Sequence, residues 1–243
     1  MNKPNLPEKK ITKAVVSSII SDKIFNRLYE LEIQPLKLYG AMNCDMAVKH
    51  HPDLYLINSG ESLYLFAKNI CSVTGDFQSE IIEVEYPKGN FIKYPGDVLL
   101  NAVFLGDKLI CCKKHIHKDI LEYAQQNDIN IINVNQGYTK CNICAVDEKS
   151  VITEDSGIAK TLIENNFNVL LLEKHFVKLP DYKYGFIGGA SGKISLDKLA
   201  FYGNIEKHPE YNRIYDFLYK RDVEAVSLSD EPLMDYGSLI PIL

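Results

Sequence analysis

The chain has 243 residues, 46% hydrophobic and 24% charged, a composition typical of a globular protein with a sizeable core. Its formal net charge of −5 argues against sequence-independent binding to nucleic acid, which requires a basic surface. The polar beginning of the sequence is unlike a signal peptide and no apolar run is long enough to cross a membrane, so we expect a cytoplasmic protein. The six cysteines are then expected to be free thiols.

In chain order, the predicted elements repeat one arrangement: a strand, a polar turn, a second strand, a helix and a third strand. An arm at residues 1–10 precedes the first complete element. The predicted strands are Ile11–Val16, Met46–Lys49, Leu54–Ile57, Ile81–Tyr86, Asn101–Leu105, Lys108–Cys112, Asn130–Asn135, Asn142–Val146, Ser150–Thr153, Asn168–Leu172, Leu199–Tyr202 and Asp222–Leu228. One helix is predicted after Ser21, which is a suitable N-cap, and another after Asp155. Two more are predicted over His117–Gln126 and Pro209–Arg221.

The second unit admits two interpretations. A helix over Glu61–Ile70, capped by Ser59, matches the other units and is preferred. The alternative is a hairpin through Asn58–Gly60, because the following SLYLF segment has strand propensity.

Glycines mark the units. Gly40, Gly96 and Gly137 are each followed five positions later by a polar residue at the start of a short strand. The chain begins in the middle of a unit and ends on a strand-like tail, Gly237–Leu243, with no helix after it. Pairing this tail with Ile11–Val16 would close a ring and remove two sheet edges. We therefore expect one α/β domain over residues 11–243, built as a five-bladed propeller of ββαβ units with the glycine-led strands near its axis.

With its five repeated units, the GDVLL segment at Gly96–Leu100 and the glycine anchors, the chain resembles the pentein superfamily, the guanidine-modifying-enzyme fold, over Ile11–Leu243. It also resembles uncharacterised bacterial proteins of this fold. In arginine deiminase-like members, a cysteine nucleophile, a His-x-Asp motif and a Glu-Gly-Gly-Asp motif perform the chemistry.

Carried over by position, the resemblance retains only part of that set. Asp97 is kept, but Tyr94 stands at the glutamate position and Tyr138 and Lys140 stand at the His-x-Asp positions. The cysteine position falls on Gly237 or Ser238. The resemblance therefore implies the fold and argues against the standard guanidino chemistry.

Polar residues expected near the axis form the candidate ligand site. They could bind a small polar ligand in a central cavity, or simply hydrogen-bond a water-filled channel. They are Asp45, Tyr94, Asp97, Asn101, Tyr138, Lys140, Asn142, Ser191 and Ser238.

Two cysteines are weak candidates for a nucleophile. Cys44 and Cys141 each precede a polar anchor residue, with Asp45 or Asp97 available to orient a substrate, but no histidine is evidently paired with either thiol. Cys141-x-x-Cys144 is expected to be core rather than a metal or redox site, because strand positions three apart face opposite sides. We expect no metal and no cofactor.

The histidines and the glycine-rich GGASG segment at Gly188–Gly192 are expected to be structural. His115 and His117 are interpreted as cap or surface residues, and His50-His51-Pro52 as a turn. His175 and His208 have no evident partner in the sequence, and GGASG is interpreted as a closely packed corner rather than an anion-binding loop.

Two functions remain. The preferred one is a non-catalytic protein that binds a small polar ligand or a protein partner. The alternative is a divergent cysteine-dependent hydrolase or amidinotransferase acting on a guanidino or amide-like substrate.

Overall fold

The computed structural model describes residues 3–60, 63–75, 80–86 and 91–243. Within these ranges the chain forms sixteen strands and five α-helices. The strands are β1 (Lys13–Ser17), β2 (Gln34–Gly40), β3 (Leu56–Gly60), β4 (Leu63–Phe66), β5 (Cys71–Val73), β6 (Glu80–Glu83), β7 (Val103–Leu105), β8 (Lys108–Cys111), β9 (Asn130–Asn133), β10 (Cys144–Asp147), β11 (Ser150–Thr153), β12 (Asn168–Leu171), β13 (Ser191–Ser195), β14 (Lys198–Phe201), β15 (Glu224–Ser227) and β16 (Ile240–Ile242). The helices are α1 (Asp22–Glu30), α2 (Lys118–Gln126), α3 (Thr139–Asn142), α4 (Ser156–Glu164) and α5 (Tyr211–Tyr219).

Side-chain caps fix the starts of three of the helices. Ser21 Oγ accepts a hydrogen bond from the backbone N–H of Ile24, as the sequence predicted. Asp155 caps α4 by accepting from Ile158 N, and His117 caps α2 by accepting from Asp119 N. The helices then bury one apolar face, which explains why their 3.6-residue periodicity was visible in the sequence.

Four three-stranded sheets share one topology in the described part of the chain. Each begins with an antiparallel hairpin, and its third strand runs parallel to the second: β3-β4-β6, β7-β8-β9, β10-β11-β12 and β13-β14-β15. A helix makes the crossover to the third strand in the last three of these sheets.

The fifth sheet joins the two ends of the chain. Its strand order is β16-β1-β2-β5, with β16 antiparallel to β1 in the register Ala14 opposite Pro241 and Val15 opposite Ile240. The predicted pairing of the tail with the first unit is therefore present. Elsewhere β3 packs against β7, β10 against β13, and β13 against β16.

The preferred helix over Glu61–Ile70 is wrong, and the hairpin is found instead. β3 and β4 pair antiparallel, with Leu56 opposite Phe66, and the 3₁₀ turn Lys68–Ile70 leads into β5. Glu61 and Ser62 lie outside the described residues. Strand pairing on both sides of β4 outweighed the weak helical pattern of this segment.

Other predicted boundaries also need correction. Met46–Lys49 forms turns rather than a strand, and the predicted strand Asn142–Val146 begins only at Cys144, because α3 takes up the residues before it. The arm at residues 1–10 includes a packed part, since Leu6 is buried and Asn5 Nδ2 donates to the carbonyl oxygen of Phe104. Among the described helices, none is long and apolar enough to cross a membrane.

Candidate functional site

A cavity of about 290 Å³ opens beside α3. Its floor includes His51, Cys141 and Asp235, and its walls are largely aromatic. Tyr138, Tyr182, Tyr184 and Phe186 form those walls. A concave site that combines apolar walls with a few convergent polar groups is the usual form of a small-molecule site.

The floor of the cavity brings together a thiol, an imidazole and a carboxylate. One ligand atom from each of His51, Asp53 and Cys141 lies within 4.8 Å of the others, and all three residues are buried. The Cys141 thiol donates to Asp53 Oδ2 at 3.2 Å. The sequence offered no partner for Cys141, and His51 is the histidine that the fold places beside it.

The Asn101 side chain hydrogen-bonds to both segments that carry this cluster. Its Nδ2 donates to the carbonyl oxygen of Asp53 at 3.0 Å and to Cys141 Sγ at 3.2 Å. Its Oδ1 accepts from the backbone N–H groups of Lys140, at 2.7 Å, and Cys141, at 3.3 Å. One side chain thus fixes both the short helix that carries Cys141 and the turn that carries Asp53.

The C-terminal segment completes the cluster. Ser238 Oγ donates to Asp53 Oδ2 at 2.7 Å and accepts from Lys140 Nζ at 2.9 Å. Gly237 lies against His51 so closely that an added Cβ would stand 2.2 Å from His51 Cβ. Glycine is also required there by a φ of 79°. The tail can therefore approach His51 only with a glycine at this position.

Burial keeps the cluster in its uncharged thiol and imidazole forms. It raises the pKa of Cys141 well above the usual value, and the carboxylates of Asp53 and Asp235 raise it further. Burial lowers the pKa of His51 to about 4 and raises that of Asp235 to about 6. The cluster therefore holds a neutral thiol and a neutral imidazole beside two buried carboxyl groups.

Two tyrosines of the cavity wall are held by aspartates that the sequence singled out. Tyr138 Oη donates to Asp97 Oδ2 at 2.5 Å, and Tyr182 Oη donates to Asp45 Oδ2 at 2.7 Å. Tyr94 stacks on Tyr138 with the ring centroids 5.6 Å apart. Asp45, Tyr94 and Asp97 thus orient the wall rather than line the floor.

Several predicted site residues fall outside the cavity. Asn142 Nδ2 donates back to the carbonyl oxygen of Tyr138, so its side chain closes α3. Ser191 is buried 3.4 Å from the carbonyl oxygen of Gly188, and the Cys44 thiol contacts the carbonyl oxygen of Asp45 in the core. Burial raises the pKa of Cys44 to about 11. Of the two cysteine candidates, only Cys141 lines the cavity.

Sequence reasoning missed His51, Asp53 and Asp235. The HHPD segment was interpreted as a turn, which is correct for its backbone, but the buried side chains of that turn carry chemistry. Asp235 Oδ1 lies 3.6 Å from His51 Nδ1, and its oxygens accept from the N–H groups of Phe186 and Gly237. The available signal for Asp235 was its position just before the C-terminal tail that pairs with β1.

Comparisons with known proteins agree on the fold. A model of a family of unknown function, DUF6873, matches residues 15–240, and no curated protein matches the sequence. The inosamine-phosphate amidinotransferase from Streptomyces griseus superposes with a TM-score of 0.59 at 8% identity, covering 100% of this chain and 97% of its own. Agmatine deiminase from C. jejuni with substrate bound superposes with a TM-score of 0.53 at 12% identity, covering 99% of this chain and 96% of its own.

A third solved structure is similar. The amidinotransferase SxtG from Microseira wollei gives a TM-score of 0.52 at 8% identity, covering 96% of this chain and 97% of its own. Identities this low establish the fold alone, and the predicted resemblance to the pentein superfamily is confirmed. The chain has the pentein fold and belongs to the family of unknown function DUF6873.

Proposed function

We propose that the protein is a thiol-dependent enzyme that acts on a small planar cation of the guanidine or amidine class, with Cys141 as the nucleophile. The observation that carries the proposal is the meeting of Cys141 and His51 at the floor of the cavity, with the buried carboxylate of Asp53 beside them. Such chemistry requires a thiol, a base within reach and a carboxylate that attracts the substrate. The sequence favoured a binding protein because the standard glutamate, histidine and cysteine positions of the resembled family are not matched. Cys141 also lacked a visible histidine partner, and we propose His51 in that role.

The surroundings of the cluster favour a planar cation. Asp235 lies at the floor of the cavity, Asp53 is buried against the Cys141 thiol, and the rings of Tyr138 and Tyr182 form the cavity walls. Carboxylates pair with a guanidinium through charge-assisted hydrogen bonds, and aromatic faces attract its positive charge. The structural neighbours named as amidinotransferases and an agmatine deiminase support the same substrate class.

The reaction begins when the substrate cation offsets the carboxylates that raise the pKa of Cys141. The sulfur attacks the central carbon of the substrate, and His51 accepts the thiol proton. The bond from that carbon to the leaving nitrogen then breaks, and His51 returns the proton to the departing amine. Water or an acceptor amine displaces the sulfur from the remaining S-amidino group and regenerates the thiol.

A cationic alkylating reagent tests this assignment. An amidine that carries a chloromethyl group should alkylate Cys141 about tenfold faster, or more, than the neutral amide of the same size, because the carboxylates attract the cation. Peptide mapping by mass spectrometry locates the adduct. His51→Ala should slow the labelling, whereas Cys144→Ser is the matched control and should leave it unchanged.

Two results would contradict the proposal. One is slow and equal labelling of all six thiols, and the other is a neutral reagent that reacts at least as fast as the cation. A turnover assay then follows amine or urea release from a panel of guanidines and amidines, and Cys141→Ser should abolish any activity found.

A non-catalytic binding protein is the second candidate, and one observation favours it. The Cys141 thiol donates its proton to Asp53 Oδ2, and burial keeps that thiol un-ionised by raising its pKa. If guanidines raise the melting temperature without forming product or an adduct on Cys141, the cavity is a binding site and the thiol is structural.

The proposal extends to architecture and location. The end-to-end pairing of β16 with β1 and the packing of β3 on β7, β10 on β13 and β13 on β16 support a five-bladed propeller with the cavity near its axis. The free thiols of all six cysteines suit the reducing cytoplasm, which we propose as its location.

A further inference from the structure

We propose that His51, Asp53 and Cys141 form a three-ligand site for a soft divalent cation, Zn²⁺ foremost, with the fourth coordination position open to the cavity. These are the nitrogen, oxygen and sulfur ligands that zinc takes in proteins. Three protein ligands with an open fourth position are the usual form of a zinc site that exchanges its last ligand. The site shares its residues with the proposed active site but does not depend on any reaction there.

The distances suit such an ion. A tetrahedral zinc with ordinary bond lengths places neighbouring ligand atoms roughly 3.3–3.6 Å apart. Cys141 Sγ and Asp53 Oδ2 already lie 3.2 Å apart, and the three ligand atoms all lie within 4.8 Å of one another. A His51 nitrogen at the same spacing from Sγ and Oδ2 would complete the set.

A second, independent observation points to a ligand at this position. Within the described residues, neither ring nitrogen of His51 has a hydrogen-bond partner, and neither has Asp53 Oδ1. Both side chains are about 1% exposed. Buried polar atoms are nearly always paired, and Asp235 faces His51 Nδ1, so His51 Nε2 and Asp53 Oδ1 are the two atoms that indicate a partner which binds there.

The outer contacts would hold the ligands in place. Asp235 Oδ1 lies 3.6 Å from His51 Nδ1, so one ring nitrogen faces a carboxylate and the other is left for the metal. Asn101 donates to Cys141 Sγ, and Ser238 donates to Asp53 Oδ2. Hydrogen bonds of this kind orient the residues that coordinate the ion in known metal sites.

The charges of the three ligands match that of a divalent cation. A divalent cation bound by one thiolate and one carboxylate gives a neutral centre, and a neutral imidazole adds no charge. Binding would therefore place no net charge from the ion and its three ligands in the protein interior. Because it would occupy the sulfur of Cys141, the ion would block attack by that sulfur and act as a reversible inhibitor of the proposed enzyme.

The test uses the full chain, stripped of metal by a chelator and kept reduced. Added Co²⁺ should bind one ion per chain and produce the near-ultraviolet sulfur-to-cobalt charge-transfer band of a thiolate ligand, and Zn²⁺ should displace it. Cys141→Ser should abolish the band, and His51→Asn should weaken binding at least tenfold. Cys144→Ser removes a buried thiol three residues away and should leave both the band and the stoichiometry unchanged.

A melting experiment keeps the proposal falsifiable if a variant folds poorly. Micromolar Zn²⁺ should raise the melting temperature of the native chain and of Cys144→Ser, but not of Asp53→Asn or Cys141→Ser. A charge-transfer band that persists in Cys141→Ser, or binding only at millimolar metal, would overturn the site. An inactive protein that still binds Co²⁺ through Cys141 would support the metal site while refuting the enzyme, and an active protein without the band would do the reverse.

Discussion

Glu154 is a buried carboxyl group whose ionisation opposes folding. Burial raises its pKa from 4.5 to about 7, although the hydrogen bond from Ile187 N to its Oε2 acts in the other direction. Its Oε1 has no partner within the described residues. The folded-state pKa exceeds the unfolded one, so ionisation of Glu154 lowers the free energy of unfolding. This loss is absent below pH 4.5 and complete above about pH 7, where it amounts to about 3 kcal/mol.

Glu154→Gln should therefore stabilise the protein at pH 8 by about 1–3 kcal/mol and change its stability little near pH 4.5. The amide oxygen can still accept from Ile187, but the side chain no longer carries a charge into the core. Chemical denaturation at the two pH values measures the difference. Glu164→Gln, an exposed change of the same charge, is the control, and equal effects of both variants at pH 8 would contradict the assignment.

At the level of elements, the turn at Gly185–Ala190 positions Cys141. Gly189 N donates to the carbonyl oxygen of Cys141 at 2.8 Å. A Cβ on Gly188 would lie 2.5 Å and 2.6 Å from the carbonyl oxygens of Lys140 and Cys141. The glycines thus let one backbone lie directly on α3, as expected for a packed corner.

Gly188→Ala should destabilise the protein by about 2–4 kcal/mol, because the added methyl group meets backbone that cannot move aside. It should also lower the labelling rate of Cys141 by displacing α3. Gly157→Ala is the matched control, since its Cβ would meet a single side-chain atom, Asp155 Oδ1 at 3.1 Å, and no backbone outside α4. That variant should be neutral or slightly stabilising in thermal denaturation. A Gly188 variant as stable as the Gly157 variant would refute the packing argument.

At the level of the whole molecule, the two ends of the chain are paired with each other. β16 contributes Ile240, which is buried in the largest hydrophobic cluster, and it closes the edge of β1. The tail also carries Ser238, which holds Asp53. Folding and the site therefore depend on the same seven residues, Gly237–Leu243.

Deletion of residues 240–243 should abolish cooperative unfolding or lower stability by several kcal/mol, because it exposes the edge of β1 and removes Ile240 from the core. Circular dichroism melting measures the effect. Deletion of Leu243 alone preserves the β1–β16 register and should change the melting temperature by only a few degrees. A protein lacking residues 240–243 that melts like the full chain would refute the closure.

Local pattern predicted much of the fold. Two helices begin after Ser21, the predicted cap, and after Asp155, as expected, because capping and amphipathic periodicity depend on residues a few positions apart. The helix predicted in the second unit was wrong because a four-residue strand such as β4 is defined by its neighbours rather than by its own sequence. Closure through β16 was predictable because unpaired strand edges are disfavoured.

The sequence by itself determined the repeated strand order and the pairing of the C-terminal tail with the first unit, and it singled out Asn101, Tyr138, Lys140 and Ser238, together with Asp45, Tyr94, Asp97, Asn142 and Ser191, as candidate site residues. Only the tertiary structure decided which of these residues meet. His51 and Asp53 are 90 and 88 positions from Cys141, and nothing local distinguishes a buried histidine from a turn residue. The pairing of a thiol with a base depends on packing between distant segments, and the tail that closes the sheet also brings Gly237 against His51.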